Sequence, residues 1–367
     1  MAKNGQMNRL VLLGNGFDLA HGLKTSYKDF IFDYFKKAII IFHEKDSYED
    51  QLFELSYASS YMFTSDFELI INNFDDIREH IKNLKSSKIS SMVKVNVIFH
   101  SPFFEFLYTK LTDLNWVDIE ASYFQYLIII KEKKEAVEKL NSQFTFIGIK
   151  LNEYLISLKI SEVNFFGKVY SNLFSQKIIR DDIVINTLDQ DLDPAAIYFL
   201  NFNYTDTVGN YLKNISNQDI VKHNYIHGEL EVKENPIIFG FGDELDENYL
   251  KFENKKNNSL FTHIKSFKYS QTQNYHDLIR FIESNDFQVF VIGHSCGLSD
   301  RTMLNEIFEH DNCKSIKIFY HKRADGSDDF TDKTYEISRH FKDKGLMRKK
   351  LVPKEKSQPM PKPRKIG

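Results

Sequence analysis

The sequence predicts an α/β protein with a mostly parallel sheet, on two observations. Six short, near-continuous apolar runs have the texture of strands buried on both faces: Arg9–Leu13, Ala196–Leu200, Asn224–His227, Pro236–Phe241, Phe287–Ile292 and Ser315–Tyr320. Several pass through Gly or Asn into an amphipathic stretch, as Asn203 leads into Thr207-Val-Gly-Asn-Tyr-Leu212 and Gly293 into Thr302-Met-Leu-Asn-Glu-Ile-Phe308. Such strand–loop–helix repetition packs helices against a sheet.

The first strand ends in Gly14-Asn15-Gly16 and passes directly into a helix. Bare backbone N–H groups and a positive helix terminus at that point suit a phosphate. The loop departs from the usual dinucleotide fingerprint, because its third glycine position is Leu19 and no acidic residue follows about 20 positions on.

The segment 27–189 has a different texture. Phe144, Ile147, Leu151, Tyr154, Leu155 and Leu158 fall at helical spacing, and Tyr27–Phe42 and Asp66–Lys82 also read as amphipathic helices. Lys131–Lys139 reads as a solvated helix face and Leu84–Ser91 as a loop. The chain therefore divides into an α/β core from 1–26 and 190–344, a helical insertion from 27–189, and a basic tail from 345–367. The tail holds four of the seven prolines and little apolar surface, so it is expected to be disordered.

At 367 residues the chain has room for roughly two domains, and 42% apolar residues support a sizeable core. A net charge of −3 gives no overall reason to bind nucleic acid or anionic lipid, the basic tail excepted. Two cysteines exclude a four-cysteine zinc site and fit a reducing, cytoplasmic setting. No apolar stretch is long enough to span a membrane. Three further loops follow strands and so belong with the first at the C-terminal edge of the sheet: Asn201–Asp206, His227-Gly228-Glu229 and Gly293–Asp300.

The motif Gly14-Asn-Gly16-Phe-Asp18 with Gly22 resembles the phosphate loop of sirtuins, Asn203–Asp206 their N-x-D loop, His227-Gly228 their catalytic His-Gly, and Gly293-His-Ser295 their late Gly-x-Ser loop. Asn203–Asp206 is one residue longer than its counterpart. The sequence also resembles the AbiH-type bacteriophage abortive-infection proteins in five ordered motifs. These are the N-G-F-D-L-x-H-G-L opening, Trp116-Val-Asp-Ile-Glu120, F-N-Y-T, H-G and the final G-H-S-x-G-L-S-D.

The resemblance implies a Rossmann-like, sirtuin-like core with a large helical insertion, acting as an antiphage NAD glycohydrolase that depletes host NAD on infection. His227 is then the general base on water or a ribose hydroxyl, Asn203 orients water or ribose, and Asp18 or Asp206 stabilises positive charge on the sugar. The NAD contacts it implies are Gly14, Asn15, Gly16, Phe17, Gly22, Gly228, Gly293, His294 and Ser295. Without the four cysteines of the sirtuin zinc module, NAD hydrolysis is favoured over protein deacylation. The expected partners are NAD, a phage-derived trigger or regulatory protein, and a second copy of the chain.

Structural roles compete with each assignment. Asn203 or Asp206 suits a helix N-cap, and His227 a buried strand end. Trp116 suits an anchor of the insertion, and Asp118 and Glu120 a solvent-facing strip. His21, His227 and His294 lack metal-ligand spacing, and no metal is expected. Two other activities compete: an NAD- or ADP-ribose-sensing module without turnover, and a serine hydrolase built on Gly293-His-Ser295-Cys-Gly297. The latter leaves only 72 residues downstream for its acid and histidine.

Overall fold

A computed structural model describes residues 6–57, 71–86, 95–114, 118–158, 166–185, 188–242 and 244–362. The chain forms two units, one from Met1–Lys24, Leu158–Lys256 and His263–Gly367, the other from Thr25–Ser157 and Asn257–Thr262.

The first unit is built on a six-stranded sheet. In chain order the strands are β1 (Asn8–Leu13), then, after the second unit's β2 (Ser47–Glu49), β3 (Phe53–Tyr57) and β4 (Val95–Phe99), β5 (Ile197–Asn201), β6 (Val221–Tyr225), β7 (Phe287–Ile292), β8 (Cys313–Tyr320) and β9 (Gln358–Pro359). The sheet order is β6-β5-β1-β7-β8-β9, and every pairing in it is parallel. From β1 the chain builds outward on one side through β5 and β6, then crosses to build the other side from β7. The crevice between β1 and β7 is therefore the point at which strand order reverses, where open α/β sheets bind their ligands.

Alternation along β1 explains its central place. Leu10 and Leu12 join the core on one face with Leu200, Val289, Leu304 and Ile307, while Val11 and Leu13 join Phe174, Phe199, Phe290 and Ile292 on the other. Both faces are covered, so the strand carries no polar stripe.

Three expectations for this unit are corrected. The β6 strand covers Val221–Tyr225, so His227 lies beyond it on a loop. Pro236–Phe241 is not a sheet strand; it is a strap fixed by Ile238 N–H to the His227 carbonyl (2.8 Å) and Phe241 N–H to the His263 carbonyl (2.9 Å), with one bridge to Ile264. Pro236 brings no N–H to a ladder, and Gly240 lies against the His263 carbonyl, where a Cβ would come within 2.2 Å.

The tail is ordered up to residue 362. Lys344–Lys350 is a helix, Val352 N–H donates to the Ile316 carbonyl (2.9 Å), and β9 pairs with β8. Met347, Val352 and Met360 are buried, and Lys350 Nζ donates to the carbonyls of Phe308 (2.9 Å) and His310 (2.8 Å). A few well-spaced apolar anchors and the open edge of β8 suffice to hold a segment whose composition alone points to disorder. Residues 363–367 lie outside the described residues.

The second unit contains helices Tyr27–Lys45, Phe74–Ser86, Pro102–Leu114, Ile119–Ile130 and Lys134–Ser157. Ser26 and Asp118 cap two of them by accepting from Asp29 N–H and Ala121 N–H. The unit is not purely helical: β2, β3 and β4 form an antiparallel sheet. Phe53 and Leu55 alternate with polar residues, but strands of three to five residues are too short to stand out against long helical periodicity. Phe74–Ser86 overlaps the expected helix and runs into the expected loop at 84–91; residues 58–70 and 87–94, and Trp116, lie outside the described residues. No described helix is long and apolar enough to cross a membrane.

Candidate functional site

Loops from the C-terminal ends of β1, β5, β6 and β7 converge, and they are bonded to one another. Asn203 Nδ2 donates to the Gly14 carbonyl (3.1 Å), Gly16 N–H to the Gly293 carbonyl (2.8 Å), and Ile226 N–H to the Asn201 carbonyl (3.1 Å). A Cβ on Gly14 would lie 2.5 Å from His294 Cα, and one on Gly293, whose φ is +70°, 2.1 Å from the Phe17 nitrogen. These glycines let the loops on either side of the β1–β7 crevice touch. In doing so they use the donors that the sequence suggested were bare. Gly14, Gly16 and Phe17 N–H donate to the carbonyls of Ile292 (3.2 Å), Gly293 (2.8 Å) and Gly14 (2.8 Å). Asn15 is exposed; Gly22 turns the chain after the first helix, and Gly228 turns it after His227 against the Pro236 carbonyl.

His227 is only 5% exposed and lies in a buried polar cluster. Its Nε2 is 3.1 Å from Asp300 Oδ1, which also receives Lys265 Nζ at 2.9 Å, while the Tyr269 hydroxyl lies 3.3 Å from the same imidazole nitrogen. Burial alone would raise the Asp300 carboxyl, but Lys265 and His227 hold it well below the ordinary carboxylate value, so it is ionised. Burial, reinforced by Lys265, pulls the His227 imidazole down to about 4, so it is neutral near pH 7. A neutral ring beside an ionised carboxylate carries its proton on Nε2, which leaves Nδ1 as the basic nitrogen.

His294 reaches the same carboxylate from the β7 loop. Its Nδ1 accepts from Cys296 N–H (2.9 Å), its Nε2 lies 3.7 Å from Asp300 Oδ2, and its carbonyl receives Lys333 Nζ (2.8 Å). Asp300 and Lys265 were not singled out from sequence. Asp300 closes the Gly293–Asp300 motif, whereas Lys265 has no local signal at all.

Asp18 is 1% exposed and ties the β1 loop to the β5 loop by accepting the Thr205 hydroxyl on Oδ2; Oδ1 has no hydrogen-bond partner. Burial pushes its carboxyl up to about 7, against the Thr205 and Thr207 hydroxyls. Asp206 stands apart. It is exposed, accepts from Gly209 N–H (3.1 Å) and the Tyr225 hydroxyl, and so closes the turn that leads into the short helix Gly209–Leu212. His21 is a structural anchor, donating from Nδ1 to the Phe17 carbonyl (2.7 Å) and accepting the Tyr211 hydroxyl at Nε2 (2.7 Å). Ser295 is exposed, with its Oγ accepting Gly297 N–H (3.3 Å); besides Gly293 the left-handed residue of its loop is Cys296, a fully buried thiol that burial pushes up to about 12. A nucleophile elbow would put the strained position and a histidine at the serine itself.

Beside these loops lies a cleft of about 440 Å³. Gly16 and Gly293 border it, Leu19, Phe319 and Met360 give it an apolar wall, His321, Lys333 and Lys362 bring basic groups, and Asp329 sets a carboxylate 3.5 Å from Lys333 Nζ. Lys333 joins the cleft to the polar cluster through the His294 carbonyl. The site thus consists of an open cleft at the β1–β7 crevice and a buried His–Asp–Lys cluster at the β6 side of the same edge.

No curated protein and no solved structure matches the chain. A family model described as bacteriophage abortive infection AbiH does match, over residues 10–322, a span that begins in β1 and takes in the loops after β1, β5, β6 and β7. The chain belongs to the AbiH family of bacteriophage abortive-infection proteins.

Proposed function

We propose that this protein acts in phage defence by hydrolysing NAD at the nicotinamide–ribose bond. The observation that carries the reading is the pairing of His227 with ionised Asp300 at the C-terminal edge of the sheet, which leaves a neutral imidazole with Nδ1 as base. Counted within its own sheet, the strand order is 3-2-1-4-5-6, that of Rossmann-like dinucleotide-binding sheets. Gly14, Gly16 and Phe17 N–H are engaged within the loops, so phosphate at the cleft would be met by His321, Lys333 and Lys362, with Lys333 and Lys362 giving up their present contacts to the His294 and Lys322 carbonyls and Lys333 also its ion pair with Asp329 (3.5 Å).

In this reading water attacks ribose C1′ as the C1′–N bond breaks. The bonding pair returns to the pyridine ring, nicotinamide leaves neutral, and the water proton passes to His227 Nδ1. Asn203, already bonded to the Gly14 carbonyl, is a positioning residue for the loops around the ligand.

The test is incubation of the purified full-length protein with NAD, following nicotinamide and ADP-ribose by chromatography, beside His227→Ala and Asn203→Ala. Release by the wild type and loss of about 10²-fold or more in His227→Ala supports the reading. A wild type that binds NAD by calorimetry without turning it over is a sensor instead. One that does neither removes NAD as the ligand.

A further inference from the structure

The antiparallel sheet of the second unit brings three metal-ligating side chains to one place. Glu49 on β2 and Glu54 on β3 are direct cross-strand partners, and His100 follows β4 immediately. One ligand atom from each lies within 4.8 Å of the others. His100 Nε2 is 3.7 Å from Glu49 Oε1 and 3.7 Å from Glu54 Oε2.

Two features distinguish this group from a surface ion pair. Like charges directly opposite on neighbouring strands repel, yet the hairpin holds these two carboxylates together. Asp50 Oδ1 accepts from Leu52 N–H (2.8 Å) and Phe53 N–H (3.2 Å), and Asp50 N–H closes the turn on the Phe53 carbonyl (3.2 Å). The Ser56 hydroxyl occupies Glu54 Oε1 (2.6 Å), leaving Oε2 for the histidine side. The second feature is the imidazole nitrogen itself. On a side chain that is 33% exposed, His100 Nε2 itself is screened from solvent and has no hydrogen-bond partner, because 3.7 Å is too long for one.

That spacing suits an ion shared by all three. Zinc bound at about 2.0–2.2 Å to nitrogen and oxygen keeps tetrahedral ligand atoms about 3.4 Å apart, so the two histidine–glutamate distances of 3.7 Å need to shorten by a few tenths of an ångström, and the two carboxylate oxygens, within 4.8 Å of each other, close the remainder by side-chain rotation. The frame around His100 is fixed. Ser101 N–H donates to the Leu52 carbonyl (3.0 Å), the Ser101 hydroxyl to Gln143 Oε1 (2.8 Å), and Gln143 Nε2 to the His100 carbonyl (3.4 Å).

We propose that Glu49, Glu54 and His100 bind a divalent transition-metal ion of the zinc class. Two carboxylates balance its charge, one imidazole gives it borderline-soft character, and water completes the coordination. The site shares no residue with the NAD site and stands or falls independently of it.

The experiment is calorimetric titration of chelator-treated full-length protein with Zn²⁺, repeated with Co²⁺ for its ligand-field spectrum. The expected result is one equivalent bound by the wild type, with affinity falling about tenfold or more in each of Glu49→Gln, Glu54→Gln and His100→Ala. His43 and His80, whose Nε2 atoms are 3.2 Å apart on neighbouring helices, are the rival pair, so His43→Ala should leave that equivalent unchanged. Circular dichroism checks that each variant is folded, and Glu49, whose side chain is 71% exposed, is the change least able to disturb packing. No binding by the wild type, or binding that survives the Glu49 and His100 changes, overturns the proposal.

Discussion

Asp300 is the residue on which the buried cluster depends. One carboxylate, 8% exposed, meets Lys265 at 2.9 Å and His227 at 3.1 Å, and His294 approaches its other oxygen. A buried ion pair contributes little net stability relative to apolar residues, but removing one of its charges is costly. Asp300→Asn leaves the Lys265 ammonium facing a neutral amide and releases the constraint on which His227 nitrogen carries the proton. We expect a loss of about 3–5 kcal/mol in urea unfolding; a loss under 1 kcal/mol would mean that Asp300 does not hold the cluster. The histidine was singled out in the sequence by its following glycine and by the resemblance to the sirtuin His-Gly. Its charge partners were not, because Lys265 lies 35 positions from Asp300 and their pairing exists only after the strap and the β7 loop have packed.

At the scale of elements, the loops after β1 and β7 behave as one interlocked piece. Gly293 combines a left-handed backbone with a neighbour that leaves no room for a side chain, whereas Gly326 has φ +86° and nothing within 4 Å of its missing Cβ. Gly326→Ala therefore meets backbone strain alone, about 1 kcal/mol, while Gly293→Ala adds a steric clash with the Phe17 backbone and should cost several kcal/mol more. Thermal unfolding of the two variants checks this, and equal losses would mean that the loops can part without penalty.

Elements were legible where burial was two-sided. β1, β7 and β8 read directly as apolar runs, but Val221–Tyr225 is an edge strand with Lys222 exposed and His223 half-buried, so its polar first half was missed and the expected run, Asn224–His227, is shifted towards the C-terminus. Pro236–Phe241 misled in the opposite way, being apolar because it covers the His227 loop. The four site loops were placed correctly at the sheet edge because parallel strands leave no other end for them to share.

For the whole molecule, burial of titratable groups sets a pH profile. Burial pulls His21, His227 and His340 from an ordinary 6.5 to about 4, so their contribution is fully present above pH 6.5 and is lost as pH falls through 4. A shift of that size is worth about 3 kcal/mol for each. Asp18 works the other way: its carboxyl, raised from 3.8 to about 7, favours folding below pH 3.8 and loses that contribution, about 4 kcal/mol, as pH rises through 7. Three imidazoles outweigh one carboxyl, so the protein should be less stable at pH 4.5 than at pH 7.5. Asp18→Asn should steepen that acid loss. Urea midpoints at the two pH values decide it, and a wild type no weaker at pH 4.5 would show that these histidines are not buried as neutral rings.

The division of the first unit in sequence has a consequence for synthesis. β1, with all six residues buried, leaves the ribosome before both strands that flank it, which begin more than 180 residues later, at Ile197 and Phe287. At about 5–20 residues per second, this apolar central strand waits roughly 10–40 s for its first neighbour. During that interval the nascent chain exposes an apolar segment without its partners, and a chaperone that recognises short extended apolar peptides would find a binding site at Asn8–Leu13.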